Sequence, residues 1–388
     1  MKADASQIHK IVDMMYTEFI KKEQLNVRAS KLNPPRSPSL RWIVGTSFAV
    51  LVLVSIAIAS FFVIPFVRAA PDTSSPSSPA NPESSPYSSS IQPPTPSLTD
   101  QDILEELYHA TGGEEWSTKI SPFSPICNWP GVTCDKELRV VGVYMSQNNM
   151  AGTIPESIGG LVKLRILQLS MNGLYGTIPA SIGDLTKLVE LNLGLNGFNG
   201  SAPLALFNLP SLESLSLGYN RGLMWTIPPQ IENLQQLKTL ELHSSGLHGT
   251  LPNEISHLKR LAFLSLGYNK LNGTVPNLPS PHLIELYLSH NQFTGSAPRV
   301  NMNDTRPGLL LDIEIDLSFN SFSGEFDLPL AILQHVNMLD MTNNQFTTIS
   351  ARLENVSNVD RLTCNAKNNP FRCPIPEWFK TKCKVTCT

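Results

Sequence analysis

The C-terminal two-thirds of the chain consist of ten copies of one short pattern, and this repetition restricts the fold more than any other feature. The clearest copy reads Leu164-x-x-Leu167-x-Leu169-x-x-Asn172-x-Leu174-x-Gly176-x-Ile178-Pro179. The asparagine position recurs every 22 to 29 residues, at Asn148, Asn172, Asn196, Asn220, Ser245, Asn269, Asn291, Asn320, Asn344 and Asn369. A period of this length predicts a solenoid, because no single repeat can bury its apolar face without a neighbour.

Each repeat is expected to contribute one short strand around its Leu-x-Leu pair. Successive strands then stack as a parallel sheet with a spacing of about 4.8 Å. The asparagine carries both a donor and an acceptor, so it can satisfy backbone groups of adjacent coils. We therefore interpret Asn172 and its equivalents as structural residues rather than ligand-binding residues.

An uncharged apolar segment at residues 42–67 lies between Arg41 and Arg68. About 20 apolar residues suffice to cross a bilayer, so this segment predicts a transmembrane signal-anchor helix. A cleaved signal peptide is the alternative, but the apolar run is too long for one and about 40 residues precede it. Lys and Arg are concentrated before the span, which predicts that residues 1–41 form a cytoplasmic tail.

The residues after the span carry the features of an extracellular or lumenal chain. Residues 69–98 contain eight Pro and ten Ser in 30 positions, so residues 68–98 are predicted to be a disordered stalk. All six cysteines lie after the span. Four glycosylation sequons also follow it, at Asn199, Asn272, Asn303 and Asn355. We expect a single-pass type II glycoprotein, with the C-terminal domain outside the plasma membrane.

Both ends of the solenoid need a cap, since a terminal coil would otherwise expose its core to water. Residues 99–137 supply a helix with Thr99 as its N-cap, and Cys127 and Cys134 can close a small loop by a disulfide. Residues 364–388 follow the repeats of residues 138–363 and carry the other cysteines. These are Cys364, Cys373, Cys383 and Cys387, which allow three pairings. A zinc site is the alternative, but no C-x-x-C spacing is present.

The first cap and the repeats resemble those of plant-type leucine-rich repeat proteins. The Gly-Gly-x-x-Trp element at residues 112–116 and the Cys-x-Trp-x-Gly-Val-x-Cys element at residues 127–134 match that cap. The Gly-x-Ile-Pro element at residues 152–155 and 176–179 matches that repeat subfamily. The resemblance implies an α/β, right-handed leucine-rich repeat solenoid with capped ends. Receptors of the family place a kinase after the span, and this chain has no kinase motif, so a receptor-like protein without a kinase is implied.

The concave strand face is the expected binding surface. An aromatic stripe is predicted on it, with carboxylates along its C-terminal half; the aromatic residues are Tyr219, Phe263, Tyr268, Tyr287 and Phe319, and the carboxylates are Glu285, Asp316 and Asp340. Aromatic side chains are favoured anchors in recognition surfaces. The alternative is that several aromatic residues cluster there by chance.

No catalytic, phosphate-binding or metal-binding motif is present, so we expect neither an enzyme nor a cofactor or metal. Residues 99–388 carry 20 Lys and Arg against 26 Asp and Glu, which argues against nucleic acid as a partner. The predicted function is recognition of an extracellular protein, peptide or glycan, with signalling only through partners such as a co-receptor. The alternatives are a surface adhesion or structural protein, and an inhibitor of a secreted enzyme.

Overall fold

The computed structural model describes residues 98–278, 281–300, 313–354 and 360–387. The predicted tail, span and almost all of the stalk lie outside these residues, as do the sequons at Asn303 and Asn355. Within the described part of the chain, no helix combines the length and the apolar character that a membrane crossing requires.

Twenty short strands and three α-helices make up the described chain, together with eight short 3-10 helices. In chain order the strands are β1 Val132–Cys134, β2 Val140–Tyr144, β3 Ala151–Gly152, β4 Ile166–Gln168, β5 Gly173–Gly176, β6 Glu190–Asn192, β7 Gly197–Gly200, β8 Ser214–Ser216, β9 Gly222–Leu223, β10 Thr239–Glu241, β11 His248–Thr250, β12 Phe263–Ser265, β13 Lys270–Thr274, β14 Glu285–Tyr287, β15 Gln292–Gly295, β16 Ile313–Asp316, β17 Ser321–Phe326, β18 Val336–Asp340, β19 Gln345–Ile349 and β20 Thr363–Asn365. The helices are α1 Asp100–Ala110, α2 Leu330–Leu333 and α3 Glu377–Cys383. The 3-10 helices are Gly113–Glu115, Ile126–Asn128, Glu156–Gly160, Ala180–Asp184, Leu204–Asn208, Pro229–Asn233, Asn253–His257 and Ala351–Leu353.

Eleven strands form the main sheet, in the order β1-β2-β4-β6-β8-β10-β12-β14-β16-β18-β20. Only the first pair is antiparallel, and every later pair is parallel, with one strand from each repeat. In a typical strand such as β12 the central leucine, Leu264, is fully buried while both flanking residues are half-buried. The predicted parallel-strand solenoid is therefore confirmed, and each strand presents alternate side chains on its outer face.

A second layer of strands runs along a lateral face of the coils, as two sheets of order β3-β5-β7-β9 and β11-β13-β15-β17-β19. The break between them falls where the chain has one extra residue before Pro228. There Trp225 makes only an isolated bridge with Leu247. The Trp225 side chain is 4% exposed, and its indole nitrogen donates to the Ser245 carbonyl at 3.0 Å. The insertion is thus absorbed by burying a large side chain in the core.

The repeated asparagine side chains join each coil to the preceding one. Asn172 Oδ1 accepts from the backbone nitrogens of Asn148 and Met150, at 2.9 and 3.0 Å. Its Nδ2 donates to the carbonyls of Met145 and Leu169, at 2.8 and 2.9 Å. Backbone groups that face a neighbouring coil have no partner in their own strand, so the amide supplies one. The predicted structural role of this residue is confirmed.

The N-terminal cap forms as the sequence predicts. Thr99 and Asp102 make a reciprocal capping box at the start of α1. Cys127 and Cys134 are joined by a disulfide. Asp100 is 7% exposed and is held by Arg139 on the approach to β2, with the Nη2–Oδ1 distance at 2.8 Å. These contacts attach the cap to the first strand of the solenoid.

The C-terminal cap closes the last coil with two disulfides. The bonds join Cys364 to Cys383 and Cys373 to Cys387. Cys364 pairs in register with the buried Leu339 and is itself 7% exposed. Phe379 in α3 is fully buried and belongs to the same hydrophobic core. Of the three pairings that the spacing allows, the fold selects this one.

Candidate functional site

The outer face of the main sheet carries two columns of side chains, one on each side of the buried leucines. The first column runs Thr239, Phe263, Glu285, Glu314, Met338. The second runs Glu241, Ser265, Tyr287, Asp316, Asp340, Asn365. Parallel pairing brings equivalent positions of adjacent coils side by side, so residues about 25 positions apart in sequence become neighbours.

A continuous stack of five rings runs across the coils at the end of these strands. We call it the aromatic ladder; it consists of Tyr219, His243, Tyr268, His290 and Phe319. Successive ring centroids lie 5.0, 4.9, 4.0 and 4.1 Å apart. The last two contacts are nearly parallel stacks, with interplanar angles of 22° and 12°. Phe319 ends the ladder and is 47% exposed.

Four of the five ladder residues occupy a backbone position that disfavours them. The residue before the repeated asparagine has φ between 51° and 60° in every coil. This left-handed region costs an L-residue roughly 1–2 kcal/mol, and glycine or asparagine adopts it most readily. Asn343 and Asn368 follow that preference, whereas Tyr268, His290 and Phe319 do not. The backbone therefore gives no reason for large rings at these positions.

His243 enters the ladder from a different position, two residues before Ser245. The following coil has a glycine there, and a Cβ atom at Gly267 would lie 3.0 Å from His243 Nδ1. The imidazole thus occupies space that a side chain at residue 267 would take. The ring is 7% exposed and bridges Tyr219 and Tyr268 across a coil whose own left-handed residue is Ser244.

Asp316 and Asp340, beside the ladder, each make the same pair of hydrogen bonds within their own coil. Asp316 Oδ1 accepts from the Ser318 backbone nitrogen at 2.9 Å and from its hydroxyl at 2.6 Å. Asp340 Oδ1 accepts from the backbone nitrogen and hydroxyl of Thr342, at 2.9 and 2.8 Å. These bonds direct each carboxylate toward the end of its strand, where the ladder lies. Asp316 and Asp340 are register partners on adjacent strands.

The pKa shifts agree with this placement. Burial raises the pKa of Asp340 above its ordinary value, and the nearby charge of Asp316 acts in the same direction, against the hydrogen bonds from Thr342. Burial lowers the pKa of the His290 imidazole, while the charges of Asp316 and Asp340 oppose that change. The ladder and the two carboxylates therefore share one local environment.

Negative charge dominates the strands of this face. The six residues that precede the repeated asparagine contain six carboxylates over the first nine coils, and no Lys or Arg; the carboxylates are Glu190, Glu241, Glu285, Glu314, Asp316 and Asp340. The Tyr287 hydroxyl donates to Glu314 on the adjacent strand. Five of these six carboxylates lie in the coils of the ladder or in the next one. We call those five the acidic columns: Glu241, Glu285, Glu314, Asp316 and Asp340.

Comparison with known proteins agrees with this architecture. The Leucine Rich Repeat family profile matches residues 163–185 and 282–301. Plant peptide hormone receptor RGFR1, solved in complex with RGF2, is 27% identical with a TM-score of 0.51, over 68% of this chain and 48% of the receptor chain.

The chain is built of leucine-rich repeats of the plant type. A plant ice-binding protein shares its fold, with 24% identity and a TM-score of 0.56 over 72% of this chain and 88% of that one. The leucine-rich repeat ectodomain of the Arabidopsis receptor kinase HAESA, solved with an IDA peptide hormone, has 24% identity and a TM-score of 0.50. That match covers 70% of this chain and 53% of the ectodomain, so this leucine-rich repeat protein spans about half the length of the two receptors. No curated protein matches the sequence.

The predicted aromatic residues of this leucine-rich repeat protein all belong to the strands of the main sheet or to the strand ends. Tyr219, Tyr268 and Phe319 belong to the ladder, whereas Phe263 and Tyr287 lie on the strands as neighbours of the acidic columns. The five predicted aromatic residues thus stand at three positions of the repeat, two on the strands and one at the strand ends. Glu285, Asp316 and Asp340 lie on the predicted face, and their role in binding stays a prediction.

Sequence reasoning missed the two histidines of the ladder. His290 stands at the same repeat position as Tyr268, so its column could have revealed it. His243 gave a weaker signal, because it precedes the left-handed position of its coil, which is occupied by Ser244. Its ring direction depends on the space above Gly267 in the next coil.

The two described sequons lie on the lateral face of the leucine-rich repeat domain and not on the main sheet. Asn199 is in β7 and Asn272 is in β13, and both side chains are exposed. Both stand three residues after the repeated asparagine. Glycans at these positions would cover the lateral sheets and leave the aromatic ladder open.

The lateral face also has a shallow groove of about 320 Å³ at the break between its two sheets. Leu204, Met224 and Trp225 line it together with His248, which is its one titratable group. This lining supplies no acid–base pair. Among the residues described here, no three His, Cys, Asp or Glu side chains are grouped so that they could hold a metal ion.

Proposed function

We propose that this protein is a membrane-anchored recognition protein whose main-sheet face binds an extracellular or lumenal protein or peptide. Signalling, in this proposal, passes only through partners such as a co-receptor. The observation that carries the proposal is the aromatic ladder beside the acidic columns. It joins five coils into one surface with aromatic anchors and a uniform sign of charge.

The ladder supports a binding role because the fold does not require it. The solenoid core is already formed by the inward leucines and phenylalanines, and the repeated asparagines join the coils. Large rings at left-handed positions lower stability through the backbone, although mutual stacking offsets part of this cost. Residues that oppose local stability are expected where function requires them.

The surroundings of the ladder also support this role. The described sequons lie on the lateral face, so glycosylation would leave the main-sheet face accessible. Peptide is the ligand in the RGFR1–RGF2 complex, which has a similar fold at 27% identity. For this chain, that likeness favours an extended protein segment as the ligand over a compact small molecule.

The anchor is proposed to be residues 42–67, with the repeat domain outside and the tail in the cytoplasm. The test is protease treatment of intact cells that express the full-length chain with a C-terminal epitope tag. Loss of the tag with protection of the N-terminal tail is expected. A protected C-terminal tag would refute the proposed orientation.

Ligand binding is tested by affinity capture with the full-length protein in detergent against secreted and surface extracts. We expect wild-type protein and a Met171→Ala control to retain the same ligand, and the Tyr268→Ala/Tyr287→Ala variant to lose it. Retention of that ligand by the folded double variant would refute binding at this face. Capture of a wall polymer would instead indicate an adhesion protein, and capture of a secreted hydrolase would indicate an inhibitor.

A further inference from the structure

The sign of charge on the main-sheet face restricts the chemistry of its ligand. The strand segments of the first nine coils hold six carboxylates and no Lys or Arg, as described above. A ligand that lies on this face has to bring its own positive charge, because burying several carboxylates without a counter-charge is strongly unfavourable. An anionic or purely apolar segment would bury these carboxylates without any compensating charge.

The aromatic ladder adds a second restriction at its C-terminal end. Inside the ladder each ring is covered by its neighbours, so cations can reach few ring faces there. Phe319 has a ring on one side only, since the next coil has Asn343 in this column, and the Asn343 side chain accepts from Asn368 at 2.8 Å. Phe319 also keeps 47% of its surface exposed. A cation placed against an aromatic ring in this way is stabilised by the ring quadrupole.

The two aspartates lie at the same end of the ladder. Asp316 is in the coil of Phe319, and Asp340 is in the coil of Asn343. Ser318 and Thr342 fix the two carboxylates at their Oδ1 atoms, so both are oriented before any ligand arrives. Little side-chain entropy is then lost when a cation binds between them.

We propose that the aromatic ladder docks an extended peptide that carries arginine, with one arginine side chain against Phe319 and paired with Asp316 and Asp340. This inference rests on the proposed recognition function and names the chemistry of its ligand. Arginine fits better than lysine because a planar guanidinium both stacks on a ring and donates in a fork to carboxylates. The ladder spans four coil steps, roughly 19 Å, which an extended segment of about six residues would cover.

The experiment is a selection of random seven-residue peptides displayed on phage against the immobilised full-length protein. We expect arginine to be enriched in peptides selected on wild-type protein. The best peptide is then synthesised with a fluorescent label, together with a version in which citrulline replaces arginine. Citrulline keeps the shape of the side chain and removes its charge, so its affinity is expected to be about tenfold lower or weaker still.

Matched variants locate the site. The double substitution Asp316→Asn/Asp340→Asn is expected to lower the affinity of the arginine peptide about tenfold and to leave the affinity of the citrulline peptide unchanged. Phe319→Ala is expected to lower the affinity of the arginine peptide more than the affinity of the same peptide with lysine in place of arginine. Glu232→Gln/Glu254→Gln changes the net charge by the same amount in two 3-10 helices away from the main sheet, and should have no effect.

Selected peptides without arginine, or equal affinity for arginine and citrulline peptides, would overturn this inference. Equal weakening by both pairs of charge substitutions would also overturn it, since it would mean a general attraction. These results differ from a failure of the proposed function, in which the captured ligand is retained after the ladder is disrupted. A ligand that contains no arginine but whose binding depends on the ladder would support the proposed recognition function and refute only the arginine site.

Discussion

Replacing Tyr268 by asparagine separates the two roles that the ladder could have, support of the fold and binding of a ligand. Tyr268 has φ of 55°, a value that asparagine adopts at lower cost, so the backbone contribution should improve by roughly 1 kcal/mol. The substitution also removes ring contacts at 4.9 and 4.0 Å, each worth roughly 0.5–1.5 kcal/mol. The net loss of unfolding free energy should therefore be only about 1 kcal/mol.

The effect on binding should be larger than the effect on stability. A tyrosine at the centre of an interface typically contributes about 2 kcal/mol or more, which corresponds to about a 30-fold loss of affinity. Met171→Asn is the matched control, because Met171 has φ of 57° in the same column and lies two coils before the ladder. It should gain the backbone contribution without losing a ladder contact or any ligand affinity.

The assay combines denaturant unfolding of the full-length protein with titration of a ligand captured by the wild type. Two results would refute the reasoning. A loss of more than about 3 kcal/mol for Tyr268→Asn would mean that the ladder holds the coils together. Unchanged affinity in the folded variant would mean that the rings are not part of the binding surface.

Three further predictions concern the joining of the coils, the acidic columns and the lateral face. Asn220→Ala should lower the unfolding free energy by about 3 kcal/mol, because the buried amide bonds to four backbone groups. Asn233→Ala, at an exposed position, should cost less than about 0.5 kcal/mol, and equal losses in denaturant titrations would contradict this. The pKa of Asp340 is raised in the folded state, so the ionised carboxylate destabilises the fold. Asp340→Asn should therefore increase the unfolding free energy at pH values above the folded-state pKa, and this gain should vanish below the ordinary aspartate pKa. A stability difference that does not change with pH would contradict the prediction. Asn199→Gln and Asn272→Gln should each remove one glycan by mass without changing ligand affinity, and a loss of affinity would place the ligand on the lateral face instead.

The repeat fixes a large part of the fold because it turns spacing in sequence into position in space. Leu167 and Leu169 are buried and Asn172 is bonded between two coils, as the pattern predicts, since each coil meets only its neighbours. The same logic places Asp316 beside Asp340. The capping box of Thr99 and Asp102 was equally readable, because it involves residues only three apart.

Elements that depend on contacts between unlike segments were not predictable in this way. The partners of Cys364 and Cys373 depend on how α3 folds back on the last coil, and four cysteines alone leave three choices. Trp225 is buried in the core at the coil where the lateral sheet breaks, and the repeat pattern contains no signal for this packing.

The sequence by itself thus determined the stacking of the coils, the capped ends and the sign of charge along the main sheet, since all of these follow from regular spacing and local chemistry. Only the tertiary structure decided that His243 and His290 stack with Tyr219, Tyr268 and Phe319 in one aromatic ladder. The physical reason is that the direction of a ring at a left-handed residue depends on the backbone of its own coil and on the free space beside the next coil. The repeat pattern specifies neither of these.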